Sequence, residues 1–197
     1  AILAYMTDAF RACGLPDADA KTVAGAMLDA DLSGSDAHGI FRLAGYVKQL
    51  KSGIFNPKAN IKVLQRSPAT ALVDGDDGIG HLVMTYATNL AMDLARESGV
   101  GWVGTRNSNH AGAAGIYAEM PVHHGMVGIY SVVASANHMA IWGGAETLLG
   151  TNPVAFAIPA GEEPPVVLDI ATTVVSYGTV KNFRLQGKSM PDGWMVS

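Results

Sequence analysis

At 197 residues the chain has room for one large domain or two small ones, and either can bury a sizeable core. Hydrophobic residues make up 49% and charged residues only 15%, with a formal net charge of -4, a pI of about 5.8 and a mean hydropathy of +0.21. With no basic cluster, nucleic acid and acidic membrane surfaces are excluded as partners, and no apolar run is long enough to span a bilayer.

So little charge leaves apolar surface uncovered, which predicts a subunit interface or a missing partner segment. The single cysteine, Cys13, sits in an apolar helical context and reads as a small core residue. A lone cysteine forms no internal disulfide, and no charged-then-apolar leader is present, so a reducing, cytoplasmic location is expected. The chain opens on Ala1 already in helical pattern and stops at Ser197, which reads as a trimmed piece of a longer protein.

In chain order, residues 2–13 read as a helix with Ile2, Met6 and Phe10 on one stripe and Gly14 past its end. Pro16-Asp17 starts a second helix with Val23, Met27 and Leu28 inward, broken at Ser33-Gly34-Ser35-Asp36. A third helix is expected from about Gly39 to Lys51, with basic residues in its last turn and Gly53 beyond. Asn56-Pro57 marks a turn, after which residues 61–65 and 70–73 read as paired strands and 75–78 as a loop. Residues 81–97 form the strongest helical pattern, with Leu82, Tyr86, Leu90 and Leu94 four apart and Gly99 as cap. Strands are expected at 100–105, 127–134, 153–158 and 166–170, with a helix over 113–120 that Pro121 should end or kink and a loop over 135–144. The fold class is α+β, and the composition changes between residues 54 and 75. The division adopted is a helical segment, 1–70, and a sheet domain, 71–197.

Two stretches carry chemistry. In Ser35-Asp36-Ala37-His38-Gly39-Ile40-Phe41-Arg42, Ser35 or Asp36 can cap the third helix, which puts His38 in its first turn and Arg42 one turn on. The helix N-terminus and the Arg42 charge both disfavour imidazolium, so His38 should be neutral near pH 7. Arg42 offers a planar fork for a carboxylate, and a histidine with an arginine suits a 2-hydroxy or 2-oxo acid. The second stretch is Asn107-Ser108-Asn109-His110-Ala111-Gly112, a polar loop between a strand and a helix, with three potential N-cap residues and a histidine. If both histidines serve one reaction, the fold must bring them to opposite sides of one cleft.

Gly99-Val100-Gly101-Trp102-Val103-Gly104 has the spacing of a dinucleotide fingerprint, but its glycines follow a helix and enter a strand, the reverse of what that turn needs. Asp169, in a strand read as buried, is costly unless paired or hydrogen-bonded. His123-His124 and His138 lack metal-ligand spacing, and no metal is expected.

The chain resembles the malate/L-lactate dehydrogenase family of the second type, which includes ureidoglycolate dehydrogenases, diketogulonate reductases and piperideine-carboxylate reductases. The resemblance is carried by the two stretches above and by Gly143-Gly144-Ala145-Glu146, Leu149-Gly150-Thr151-Asn152-Pro153, Asp169-Ile170-Ala171-Thr172-Thr173 and Pro191-Asp192-Gly193-Trp194. It implies a non-Rossmann nucleotide domain, an NAD or NADP cofactor, a small-molecule substrate and a homodimer. It implies His38 and His110 as the catalytic candidates, Arg42, Ser35 and Ser135 at the substrate, and Ser135, Thr151, Asn152, Asp169, Ile170 and Ala171 at the cofactor. The chain departs from the family at Ala111, where an aromatic residue is common, and at Pro121, in a helix usually free of proline. Family chains also continue well past residue 197.

The reading adopted is an NAD(P)-dependent oxidoreductase moving hydride between nicotinamide and C2 of a small 2-hydroxy or 2-oxo acid. Within the family, the alternative substrates are a cyclic imino acid or a sugar-derived keto acid. Outside it, a metal-dependent hydrolase or lyase using His38, His110 and Asp169 and a non-catalytic scaffold are the competing classes.

Overall fold

The computed structural model describes residues 1–134 and 137–195. The chain begins with α1 (Ile2–Ala12), which buries Met6 and Phe10. Gly14, at φ +93°, reverses the chain at once. The second helix, α2 (Asp17–Leu32), carries Asp17 and Asp19 in its first turn, where the helix dipole favours negative charge. Asp17 also pairs with Arg11 of α1 and with Lys21 one turn on.

The expected helix start at Gly39 is not what forms. Two short 3-10 turns, Asp36–His38 and Ile40–Arg42, precede α3 (Leu43–Lys51), and Ser35 makes no side-chain cap bond. Asp31 is the reason. Its carboxylate accepts from Ile40 N at 2.9 Å, and a Cβ on residue 39 would fall 1.7 Å from its Oδ1, so the chain is drawn back onto α2 before α3 can begin. Helices α1 to α3 enclose Met6, Phe10, Val23, Met27, Leu43, Tyr46 and Leu50 together with Phe55 and Ile79; Cys13 is partly buried against this core.

β1 (Lys62–Arg66) pairs antiparallel with β2 (Thr70–Gly78), which is followed by α4 (Gly80–Ser98) and by β3 (Trp102–Ser108), parallel to β2. Gly99, in the left-handed region, closes α4. The expected loop at 75–78 is a continuation of β2. Asp76 and Asp77 take positive φ, 49° and 53°, and the register with β3 shifts between Asp74 and Gly78, so the strand bulges instead of ending. Asp74 anchors the bulge by accepting from Asp76 N, Arg106 and Asn107, bonds that hold its carboxyl down at about 2.

Beyond β3 comes α5 (Ala114–Glu119), which stops two residues before Pro121, where the missing backbone donor and the ring no longer allow an α-helix, and gives way to a 3-10 turn, Met120–His124. The exposed His123 and His124 lie on this turn. Then follow β4 (Gly128–Ser131), the short ladder of β5 (Met139–Ala140) and β6 (Thr147–Leu149), β7 (Val154–Ala160), β8 (Glu163–Ile170) and α6 (Tyr177–Leu185). Strands β4, β7 and β8 make an antiparallel sheet in that order. Its inner face, Tyr130, Ala155 and Ala157, packs on Ala114, Tyr117 and Ala118 of α5. Its outer face presents Ile129, Phe156 and Leu168 in register, beside Ile158, Val166 and Ile170, all exposed. The strand read as buried is therefore the open edge of this sheet, because α5 covers one face only. The whole is an α+β fold. Among the described residues no helix is long and apolar enough to cross a membrane.

Candidate active site

The His110 loop is held by its neighbours' side chains. Asn107, Ser108 and Asn109 offer one N-cap among three candidates, but β3 runs through Ser108, and α5 starts after Ala113 without a side-chain cap. Asn107, at φ 48°, donates to Asp74 Oδ1 at 3.1 Å, and Asn109 Nδ2 donates to the carbonyls of Asp77 and Gly78 at 2.8 and 3.1 Å. On the other side, the buried Tyr117 hydroxyl donates to Ala111 O at 2.5 Å. Gly80 lets α4 approach from below, where a Cβ would stand 2.1 Å from Asn109 O.

This loop brings His110 against the helical segment. The His38 and His110 rings stack with centroids 5.8 Å apart and planes within 2°. The fold thus brings the two histidines, 72 residues apart in the chain, into direct ring-to-ring contact. Tyr46 Oη lies 2.6 Å from His110 Nδ1, and Gly112 N donates to the same nitrogen at 3.3 Å. A backbone N–H can only donate, so the neutral His110 ring carries its proton on Nε2. Behind Tyr46 lies a third histidine, His81, fully buried and edge-to-face with the phenol at 5.4 Å.

All three histidines are held neutral at pH 7. Burial, then the charges of His110 and His38, pushes His81 down to about 3. His110 is exposed as a residue, but its ring is enclosed by Tyr46 and His38. That desolvation, with Arg42 and His38 nearby, lowers it to about 4. His38 is lowered chiefly by burial and secondarily by Arg42, with Asp169 opposing. Its expected neutrality therefore comes from desolvation, since the helix start assigned to it lies further along the chain. Burial also raises the Tyr46 hydroxyl, which stays protonated and able to donate.

Arg42 Nε donates to Ala37 O at 2.9 Å, which orients the guanidinium across the 3-10 turns. Among the described residues no carboxylate pairs with it. Ser35 supplies its carbonyl to His38 N at 2.7 Å.

The remaining candidates collect at one end of the second sheet. Asp169 Oδ2 accepts from Gly115 N, in the first turn of α5, at 2.7 Å. It is exposed on the edge strand, so the burial cost assigned to it does not arise. Asn152, at φ 39°, accepts from Ala134 N at 2.9 Å, and Thr172 Oγ1 donates to the carbonyls of Thr151 and Asn152, both at 3.1 Å. Ile170 and Ala171 lie between these anchors. Ser135 is outside the described residues. Among the described residues no group of three or more His, Cys, Asp or Glu is placed to hold a metal ion. Two surface cavities, of about 470 and 330 Å³, lie against α6 and against the β5–β6 ladder, and neither is lined by the histidines.

Sequence reasoning missed Tyr46 and His81. Tyr46 stands four residues after Arg42 and eight after His38, a helical spacing that could have marked it. His81 looked like the first residue of an amphipathic helix and gave no other signal.

The malate/L-lactate dehydrogenase family model matches residues 1–197. The chain is 44% identical over 184 residues to a malate dehydrogenase of Pyrococcus abyssi, covering 93% of this chain and 50% of that one. It is 32% identical over 183 residues to the ureidoglycolate dehydrogenase (NAD(+)) of Escherichia coli strain K12, covering 93% and 52%. The structure of the sulfolactate dehydrogenase from Methanocaldococcus jannaschii superposes with a TM-score of 0.90 at 40% identity, over 98% of this chain and 55% of that one. The chain thus spans about half the length of the relatives it matches. With its whole length matched and its fold shared at this identity, the chain belongs to the malate/L-lactate dehydrogenase family.

Proposed function

We propose that the protein is an NAD(P)-dependent dehydrogenase that interconverts a small 2-hydroxy acid and its 2-oxo acid. The observation that carries this reading is the Arg42 guanidinium, without a carboxylate partner among the described residues, beside two stacked neutral histidines. Arg42 binds the substrate carboxylate. That carboxylate offsets the positive charge that helps hold both histidines down, so substrate binding itself raises their pKa toward the working range. His110, protonated through its accessible edge, gives up the Gly112 N–H, donates through Nδ1 to Tyr46 Oη and delivers the Nε2 proton to the oxygen on C2, which leaves the neutral ring protonated on Nδ1 and Nε2 free as the acceptor. His38 donates a hydrogen bond that fixes the same oxygen or the carboxylate. In the oxidative direction His110 takes the proton back.

Nicotinamide, when bound, supplies or receives the hydride at C2. The sheet end carrying Asp169, Ile170, Ala171, Thr151 and Asn152 fits such a group. It joins an exposed apolar strip, Val132, Val133 and Ile170, to a carboxylate and to backbone polar groups, as a flat ring bearing an amide needs. Ser35 and Ser135 complete the substrate and nicotinamide side in this reading. Segment 1–70 supplies the substrate anchor and 71–197 the cofactor side. Relatives are named for NAD(+) and for NADP(+), so either cofactor is admitted. The exposed outer sheet face and the low charge support a homodimer, and the lone cysteine supports a cytoplasmic setting.

The test is a panel of 2-oxo acids and cyclic imines against NADH and NADPH with the intact enzyme. A 2-oxo acid should be reduced, and Arg42→Lys should raise its KM by roughly tenfold or more, because an ammonium cannot make the paired contact. An unchanged KM for every acid would remove Arg42 from the site.

A further inference from the structure

His81 takes no part in the chemistry above, yet it is the most deeply buried polar side chain beside it. It is wholly buried at the start of α4, and among the described residues neither ring nitrogen has a hydrogen-bond partner. Whichever tautomer it adopts, an imidazole keeps one N–H and one lone pair, and leaving these unmet in the core is destabilising. An apolar side chain of similar size would be the more stable occupant, so stability does not explain the residue.

The surroundings are shaped around this ring. Gly112 takes φ +77°, and a Cβ there would stand 2.6 Å from His81 Nε2. The ring meets the buried Tyr46 phenol edge-to-face, with planes at 80°. Phe55, tilted at 43° and 5.9 Å away, also packs against that phenol. Tyr46 in turn reaches His110 Nδ1. The order from core to site is therefore His81, Tyr46, His110.

We propose that His81 is a positioning residue: its ring fixes the tilt of Tyr46, so that the phenol oxygen stays on His110 Nδ1 and leaves Nε2 for the substrate. The inference rests on the reading of His110 as the proton-transfer residue. A phenol is a long lever. A tilt of about 10° at its Cα–Cβ bond moves the oxygen by about 1 Å, enough to break a short hydrogen bond and misalign the proton. Gly112 serves both ends, since it makes room for His81 and donates its N–H to His110.

The experiment uses the intact enzyme and two readouts. The first is the ring ¹⁵N signals of His110 in histidine-labelled wild type, Tyr46→Phe, His81→Ala and His81→Leu. In both His81 variants the His110 Nδ1 signal should move toward its position in Tyr46→Phe. Leucine fills the space without a ring and guards against collapse of the alanine variant. A signal that stays at its wild-type position in His81→Leu overturns the proposal. The second readout is kinetic. His81→Leu should lower kcat by about tenfold with KM for acid and cofactor within about twofold, and should add nothing to Tyr46→Phe in the double variant. Additive losses, or a loss confined to KM, overturn it. If the wild type reduces no acid with either cofactor, the functional reading fails, and the His110 signal still decides the role of His81.

Discussion

Replacing His81 with glutamine should make the protein less sensitive to acid. In the fold the His81 ring has no exposed surface and is held down at about 3, against 6.5 for a free histidine. The unfolded chain therefore takes up a proton as the pH falls through about 6.5, while the folded chain does not until about 3. A lowered histidine pKa means full stability above the upper value and progressive loss below it. Between pH 7 and pH 5, one such histidine accounts for about 2 kcal/mol of lost folding stability, a figure set by the unfolded value so long as the folded one lies below about 4. Glutamine keeps a planar polar group of similar reach and does not titrate. His38 and His110 are shifted the same way, chiefly by burial that both proteins share, so most of their contribution cancels in the comparison. The assay is equilibrium urea unfolding of wild type and His81→Gln at pH 7 and pH 5, at one protein concentration. The variant should lose about 2 kcal/mol less than wild type across that interval. If the two losses agree within about 0.5 kcal/mol, His81 protonates inside the fold and the argument from its burial is wrong.

Gly112→Ala should destabilise by about 2–4 kcal/mol, because the new methyl meets both a left-handed φ and the His81 ring. In a His81→Ala background the steric part disappears, and the cost should drop to about 1 kcal/mol. Equal costs in the two backgrounds would deny the contact. Tyr117→Phe should cost about 1–2 kcal/mol in denaturant unfolding, since it leaves the Ala111 carbonyl without its buried donor. A wild-type midpoint would show that water replaces the phenol.

The elements with strong local signals formed where the sequence put them. α1, α2, α4 and the turn at Pro121 follow from apolar stripes, left-handed glycines and a missing backbone donor, all of which act within a few residues. The misread elements are those decided by distant groups. The start of α3 is set by Asp31, eight residues before Gly39. The bulge of β2 is set by Arg106 and Asn107 on the neighbouring strand, and the exposure of β8 by how much of the sheet α5 can cover.

The candidate site divides the same way. Its residue types, His38, Arg42, His110 and Asp169, were legible because carboxylate binding and proton transfer need those side chains in any fold. Their arrangement was not. The stacking of rings 72 residues apart in the chain, the phenol on His110 Nδ1 and the buried ring of His81 depend on α3, α4 and the His110 loop meeting in space. The sequence by itself determined the chemistry available and the short-range elements that carry it. Only the tertiary structure decided which nitrogen faces outward and what keeps each histidine neutral, because desolvation and cross-chain hydrogen bonds arise only when distant segments pack.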